Sequence, residues 1–231
     1  MNDYFPVTHS TLSTRAITTD VLPSYGLGAI IDCRFLNRGL NDTYVFKTVH
    51  GDKFILRVYR TGWRTLSDIS YEIDVLNHLS SKGIPVSKPL SQKDGRFIQT
   101  LTAPEGKRHI VLFTYAAGQE PTYEKEAEGY AFNYGKTVAK IHNGVQDFNS
   151  KHARFSLDLN HLIEVPLKSI GPMLLHRAED WKYLQQLADK IRYQFSKLPE
   201  NALEQGFCHG DFHGGNAHFA DDGSITFFDF D

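Results

Sequence analysis

The sequence predicts an α+β protein, with an antiparallel sheet and one helix in its N-terminal half and mostly helices in its C-terminal half. Three observations predict this. Short runs of β-branched and aromatic residues, parted by turn residues, fill 29–59. An apolar period of three and four residues replaces them from 69 to 79. The second half then carries long stretches at helical spacing, with brief strand-like runs only near its end.

The expected strands cover 29–36, 43–49 and 54–59. The turn Asn37 to Asp42 parts the first two, and His50-Gly51-Asp52-Lys53 parts the next two, where Gly-Asp is a hairpin signal. Ile69, Ile73, Val75, Leu76 and Leu79 share a helical face until Lys82-Gly83 and Pro85 stop it. Two further runs, 96–101 and 109–115, read as strands, the second almost continuously apolar and so central. Ala116 to Pro121 reads as a linker, which places a boundary between a lobe of 1–115 and a lobe of 116–231. Beyond it, 124–145 and 179–198 are expected helices around an irregular apolar stretch at 157–175, and 206–209 and 225–230 are expected strands. A five-stranded lobe followed by a helical lobe leaves a cleft between them, where ligands bind.

Composition bounds the function. With 25 Lys and Arg against 27 Asp and Glu, the formal net charge is −2, which gives no broad basic field for tracking nucleic acid. No nucleic-acid partner is expected. Cys33 and Cys208 form neither a paired metal motif nor a disulfide framework, which fits a reducing, cytoplasmic setting. No run of about 18 apolar residues occurs and the first residues lack a basic segment before an apolar one, so neither membrane span nor signal peptide is expected.

The chemistry concentrates near the end. Cys208-His209-Gly210-Asp211-Phe212-His213-Gly214-Gly215-Asn216 is followed after a turn by Phe227-Phe228-Asp229-Phe230-Asp231. Asp211 and Asn216 on one tight loop, with Asp229 at the end of the next strand, place three oxygen-bearing side chains around one point. Mg²⁺ suits that arrangement, because it takes hard oxygen ligands from one or two carboxylates and completes its shell with phosphate and water. The remaining carboxylate is then free to act as a base. A transition-metal site built on His209, Asp211, His213 and His218 is the competing reading, but it matches no known spacing and leaves Asn216 and Asp229 unexplained.

On these motifs the chain resembles the aminoglycoside phosphotransferase and choline kinase family, small-molecule relatives of protein kinases. The family's His-x-Asp-x-x-x-x-Asn loop is His209, Asp211 and Asn216, and Asp229 resembles the metal-binding Asp of the Asp-Phe-Gly motif, with Asp231 in place of its Gly. The resemblance runs from about Ala29 to Asp231. Ala103 to Arg108, with the loop, looks nearest the bacterial branch beside homoserine kinase and stress-response kinases.

The resemblance implies a two-lobe protein-kinase-like fold and an ATP- and Mg²⁺-dependent transfer of the γ-phosphoryl group to a hydroxyl of a small molecule. Asp211 becomes the catalytic base, with Asn216 and Asp229 as metal ligands. Arg57 takes the place of the kinase Lys beside the phosphates, although its planar fork is not equivalent to an ammonium. Glu72, fifteen residues later, becomes its partner, and Gly39 lies where a hairpin closes over the phosphates. The Thr114 carbonyl and Ala116 amide become the groups that read the adenine edge. Two other readings stand beside this one: a Ser/Thr protein kinase of the stress-response type, and a pseudokinase module that binds nucleotide without turnover. Family members continue past this Asp-Phe-Asp into helices that finish the acceptor pocket. The chain is therefore expected to be truncated in its C-terminal lobe, with an uncovered strand at 225–230 that invites self-association.

Overall fold

In a computed structural model, the structure describes residues 7–121, 127–199 and 202–231. The first three residues of the helix expected over 124–145 lie outside them.

Strands β1 (Ile30–Arg38), β2 (Asp42–Thr48) and β3 (Lys53–Val58) form an antiparallel meander, and β6 (Gly106–Thr114) lies against β3. The far edge of β6 pairs with both β4 (Pro89–Leu90) and β5 (Ile98–Ala103), so the sheet has six strands rather than the expected five. The added strand, β4, is two residues that begin on a proline, too short to leave a period in the sequence. Gly51, with φ of 95°, makes the β2–β3 turn.

Strand alternation divides these residues between two faces. Tyr44, Phe46, Leu56, Val58, Ile110 and Leu112 pack on one face, while Ile55, Val111 and Phe113 belong to the other. The first face is covered by a helical segment that the sequence reading missed: α1 (Thr14–Ala16) runs on through Ile17–Val21 into Leu22–Tyr25 and buries Ile17, Val21, Leu22 and Tyr25. The second face packs on α2 (Leu66–Ser81). A Thr65–Asp68 capping box starts this helix, and its buried stripe is Ile69, Glu72, Ile73, Val75, Leu76 and Leu79. α3 (Ala127–Gly144) adds Ile141 and Val138 to the same core.

The C-terminal part departs from expectation at 206–209 and in the cover over its last strand. Residues 206–209 form no strand; β8 (Ile225–Phe227) pairs instead with β7 (Ala217–Phe219). The His209 ring bonds the Phe228 carbonyl, and Gly210 turns the chain away at φ of 79°, so a side chain replaces the strand ladder there. The strand expected to lie uncovered is in fact enclosed. Ile225, Phe227 and Phe230 are buried, and Phe227 exchanges backbone bonds with Pro85 and Ser87 on its other side.

The chain divides into two compact units. One comprises residues up to Ala153 together with Phe207–Asp231, so the lobe boundary expected at 115/116 falls inside it. The other, Arg154–Gly206, holds α4 (Val165–Ile170) and α5 (Ala178–Ser196); within it Arg192 pairs with both oxygens of Glu164 at 2.7 and 2.9 Å. Among the described residues, no helix is long and apolar enough to cross a membrane.

A buried ionic knot fastens the sheet. Arg108, fully buried, donates to the Val58, Tyr59 and Ser10 carbonyls and pairs with the buried Asp42 carboxylate at 2.9 Å. Arg108→Met should therefore destabilise the protein by about 3 kcal/mol, the low end for breaking a buried pair because His9 and Arg38 stay beside Asp42. Urea unfolding checks this, and a loss below about 0.5 kcal/mol, typical of an ordinary surface change, contradicts it.

Candidate active site

The cavity-facing positions of the sheet follow from its alternation. Lys53, Ile55 and Arg57 on β3, with Thr43 and Val45 on β2, line a cavity of about 370 Å³. Phe113, Leu76 and Phe228 add apolar wall, and Asn216, His218 and Asp229 complete the side formed by the C-terminal loops. A register shift in β1 between Phe35 and Asn37 accompanies the approach of Leu36 and Asn37 to this wall.

At the exit of β6, Tyr115 and Ala116 line the cavity. Thr114 is less available than the sequence implied. Its carbonyl accepts from Ser87 Oγ at 2.5 Å, which leaves one lone pair, and its amide donates to Lys88 O. The Ala116 carbonyl accepts from His218 Nδ1 at 2.7 Å, which fixes that ring as the Nδ1–H form beside Tyr115 and Phe228.

At the heart of the site, one guanidinium is shared by two acids. Arg57 Nη1 donates to Glu72 Oε1 at 2.8 Å, and Nη2 pairs with Asp229 Oδ1 at 2.9 Å. The second Glu72 oxygen accepts from the Tyr59 hydroxyl at 2.6 Å. Burial by itself pushes the Arg57 guanidinium down, but Asp229 and Glu72 more than offset this and hold it above its ordinary value. Burial pushes the Glu72 carboxyl up, and Arg57 and the Tyr59 hydroxyl draw it back only in part. Asp229 is the one non-glycine among the described residues with positive φ, at 65°; such backbone strain gathers at functional sites.

The loop 209–216 is held by its own side chains. His209 donates from Nε2 to the Phe228 carbonyl at 3.1 Å and accepts the Asp211 amide at Nδ1, at 3.3 Å, while its ring stacks on Phe212. Burial pushes its pKa below the usual 6.5, the Phe228 bond opposing. Asn216 Nδ2 donates to Asp211 Oδ2 at 2.9 Å and to the Asp211 carbonyl at 3.0 Å, which leaves the Asn216 amide oxygen for another partner. Asp211 itself borders a second cavity of about 160 Å³ with Gly39, Asn41 and Asp231, and Arg57 and Asp229 line both cavities.

The structure thus brings Arg57, Glu72, Asn216, Asp229 and Ala116 to one cavity and Gly39 and Asp211 to its neighbour. Gly39 has ordinary backbone, and an added Cβ would meet only the Asn41 carbonyl at 3.9 Å. The fold therefore places no demand for glycine there. Sequence reasoning missed Tyr59 and the pair Asn41 and Arg64, which hold Asp231 at 2.6 and 2.5 Å, and it named His218 only as a transition-metal ligand, not as the ring that bonds the Ala116 carbonyl. The signal for Tyr59 is its place two residues after Arg57, hence on the same face.

Among the described residues, no cluster of three or more His, Cys, Asp or Glu forms a metal cage. Asp229 and Asn216 line the same cavity and offer one carboxylate and one amide oxygen, a donor set that fits magnesium, which binds through one or two carboxylates plus phosphates.

The family model for the phosphotransferase enzyme family matches residues 32–231, which spans both cavities and the whole loop system. The chain belongs to the phosphotransferase enzyme family. An uncharacterized protein of Synechocystis sp. is 36% identical over 229 residues, covering 99% of this chain and 63% of its own length. A homoserine kinase of Paraburkholderia xenovorans is 23% identical over 200 residues, 85% of this chain and 56% of its own length. The solved structure of an amicoumacin kinase in complex with AMP-PNP, Ca²⁺ and Ami superposes with a TM-score of 0.67 at 22% identity, covering 94% of this chain and 65% of that one. That likeness establishes a kinase-like α+β fold. The chain spans less than two thirds of the length of each of these three proteins.

A prediction follows for His209. A histidine with a depressed folded pKa binds fewer protons than its unfolded counterpart, so stability is lost as pH falls from about 6.5 toward the folded value. Between pH 7 and 5.5 the wild-type melting temperature should fall more steeply than that of His209→Asn. Parallel slopes in thermal scans would contradict a neutral, buried His209.

Proposed function

We propose that this chain carries the nucleotide and metal sites of an ATP-dependent phosphotransferase that moves the γ-phosphoryl group to a hydroxyl of a small molecule. The observation that carries this reading is that Arg57 and Asp229 stand where two cavities meet, one apolar-walled and edged by cations, the other bearing Asp211. Residues 1–115 supply the nucleotide lobe in this account, and the catalytic lobe begins at 116.

The base lies between apolar side chains, its edge read by the Ala116 amide and the remaining lone pair of the Thr114 carbonyl. Arg57, held by Glu72, directs its guanidinium at the phosphates, and the turn that contains Gly39 lies over them. Asn216 and Asp229 would hold magnesium, which when bound spreads the negative charge of the transferring group. Asp211 Oδ2 accepts from Asn216 and has His213 Nε2 3.5 Å away, so Oδ1 is the freer oxygen to receive the acceptor's proton. As that oxygen–hydrogen bond breaks, the acceptor oxygen bonds to the γ-phosphorus and the bond to the β,γ-bridging oxygen breaks, releasing ADP. Free thiols at Cys33 and Cys208 suit a reducing compartment, and the cytoplasm is the proposed location.

The test separates binding from turnover. Asp229→Ala should weaken MgATP far more than adenosine in calorimetric titrations, and equal losses would sink the metal assignment. Asp211→Asn should leave MgATP affinity nearly unchanged and lower turnover about 10²-fold or more. Wild-type turnover in that variant would exclude Asp211 as the base.

A further inference from the structure

We propose that Tyr59 is a positioning residue of this site: its hydroxyl fixes the Glu72 carboxylate in the one orientation that presents Arg57 to the phosphate end of the cavity. The inference rests on the reading of Arg57 as the phosphate-facing cation. Glu72 is 1% exposed, and among the described residues each of its oxygens has one partner, Arg57 Nη1 on one and the Tyr59 hydroxyl on the other. Without the hydroxyl, a buried carboxylate oxygen loses its donor. The carboxylate then turns to share Arg57 across both oxygens, and the guanidinium leaves the direction set by the present one-to-one contact.

Tyr59 is well placed for this task. It is itself 1% exposed and lies just past β3, two residues from Arg57 on the same face. Its backbone is pinned on both sides, the amide donating to His109 O at 2.8 Å and the carbonyl accepting from Arg108 Nε at 3.1 Å. The ring also packs 5.8 Å from the Arg57 guanidinium carbon, with Phe113 at 5.3 Å. The buried ionic knot of the sheet is thereby connected to the phosphate cation through one hydroxyl. Burial holds the phenol well above its usual range, so it stays a donor at every physiological pH.

The experiment uses Tyr59→Phe, which keeps the ring and removes only the donor, with two readouts. The first needs no nucleotide: ¹⁵N spectra of the arginine side chains, where a doubly paired, buried Arg57 gives resolved, slowly exchanging Nη–H signals that Tyr59→Phe should broaden or merge. The second is affinity: MgATP should bind about 2- to 30-fold more weakly, the usual range for a residue acting through another, while adenosine changes less than about twofold. In a Glu72→Gln background, Tyr59→Phe should add nothing further to the MgATP loss. Glu72→Asp, too short to reach both partners, should reproduce the phosphate-selective loss with Tyr59 intact, which keeps the test open if the Phe variant folds poorly. Unchanged Arg57 signals, equal losses for MgATP and adenosine, or full additivity with Glu72→Gln would each overturn the proposal. Failure of the wild type to bind MgATP would instead overturn the nucleotide reading, with the Arg57 spectra still deciding the role of Tyr59.

Discussion

A buried cation must be neutralised where it stands, and Arg57 imposes that requirement on three separate parts of the chain. The guanidinium lies on β3, one of its acids on α2 and the other on the loop after β8. Transferring an unpaired guanidinium out of water is prohibitive, so each element is held to the position in which the fork is satisfied. An arginine does this where a lysine would not, because its planar fork meets two carboxylates along two fixed directions.

The same fork explains why the site lies on one face of the sheet. Alternation along β3 sends Leu56 and Val58 to the back, where the N-terminal helical segment covers them, and Ile55 and Arg57 to the front. The front is left with a charged group at its centre, and the cavity walls form around it. Asp229 meets Arg57 with its backbone in the left-handed region, and its neighbours Phe227 and Phe230 are buried in the core on either side. The tension between Asp229 as partner of Arg57 and Asp229 as proposed metal ligand is built into this geometry, since the same carboxylate serves both. Asn216, whose amide nitrogen is committed to Asp211, has its oxygen available for that exchange.

Much of this was legible in the sequence, for reasons that are local. The meander and the helical face from 69 to 79 announce themselves through period and turn residues, and Glu72 is picked out by its fifteen-residue spacing from Arg57 in the family resemblance. The loop 209–216 is legible because its residues act over short spacings. The parts that were not legible depend on contacts distant in sequence. The segment 14–25 has too short a pattern to be read as a helix before its sheet face is known, and β4 and β7, of two and three residues, are made strands by their neighbours. Residues 206–209 have strand-like composition, yet the His209 ring takes the Phe228 carbonyl and the chain never pairs. Thr114 looked free to read a base because the Ser87 hydroxyl that occupies its carbonyl comes from another part of the chain.

The central claim is that Arg57 and Asp229 form the junction between a nucleotide cavity and an acceptor cavity. A crystal structure with a non-hydrolysable ATP analogue and magnesium tests it most directly. The account predicts the triphosphate running from the larger cavity toward Asp211, the Arg57 guanidinium within about 3 Å of a phosphate oxygen, and the metal on Asp229 and Asn216. An analogue bound elsewhere, or phosphates turned away from an Arg57 still bridging Glu72 and Asp229, would contradict it.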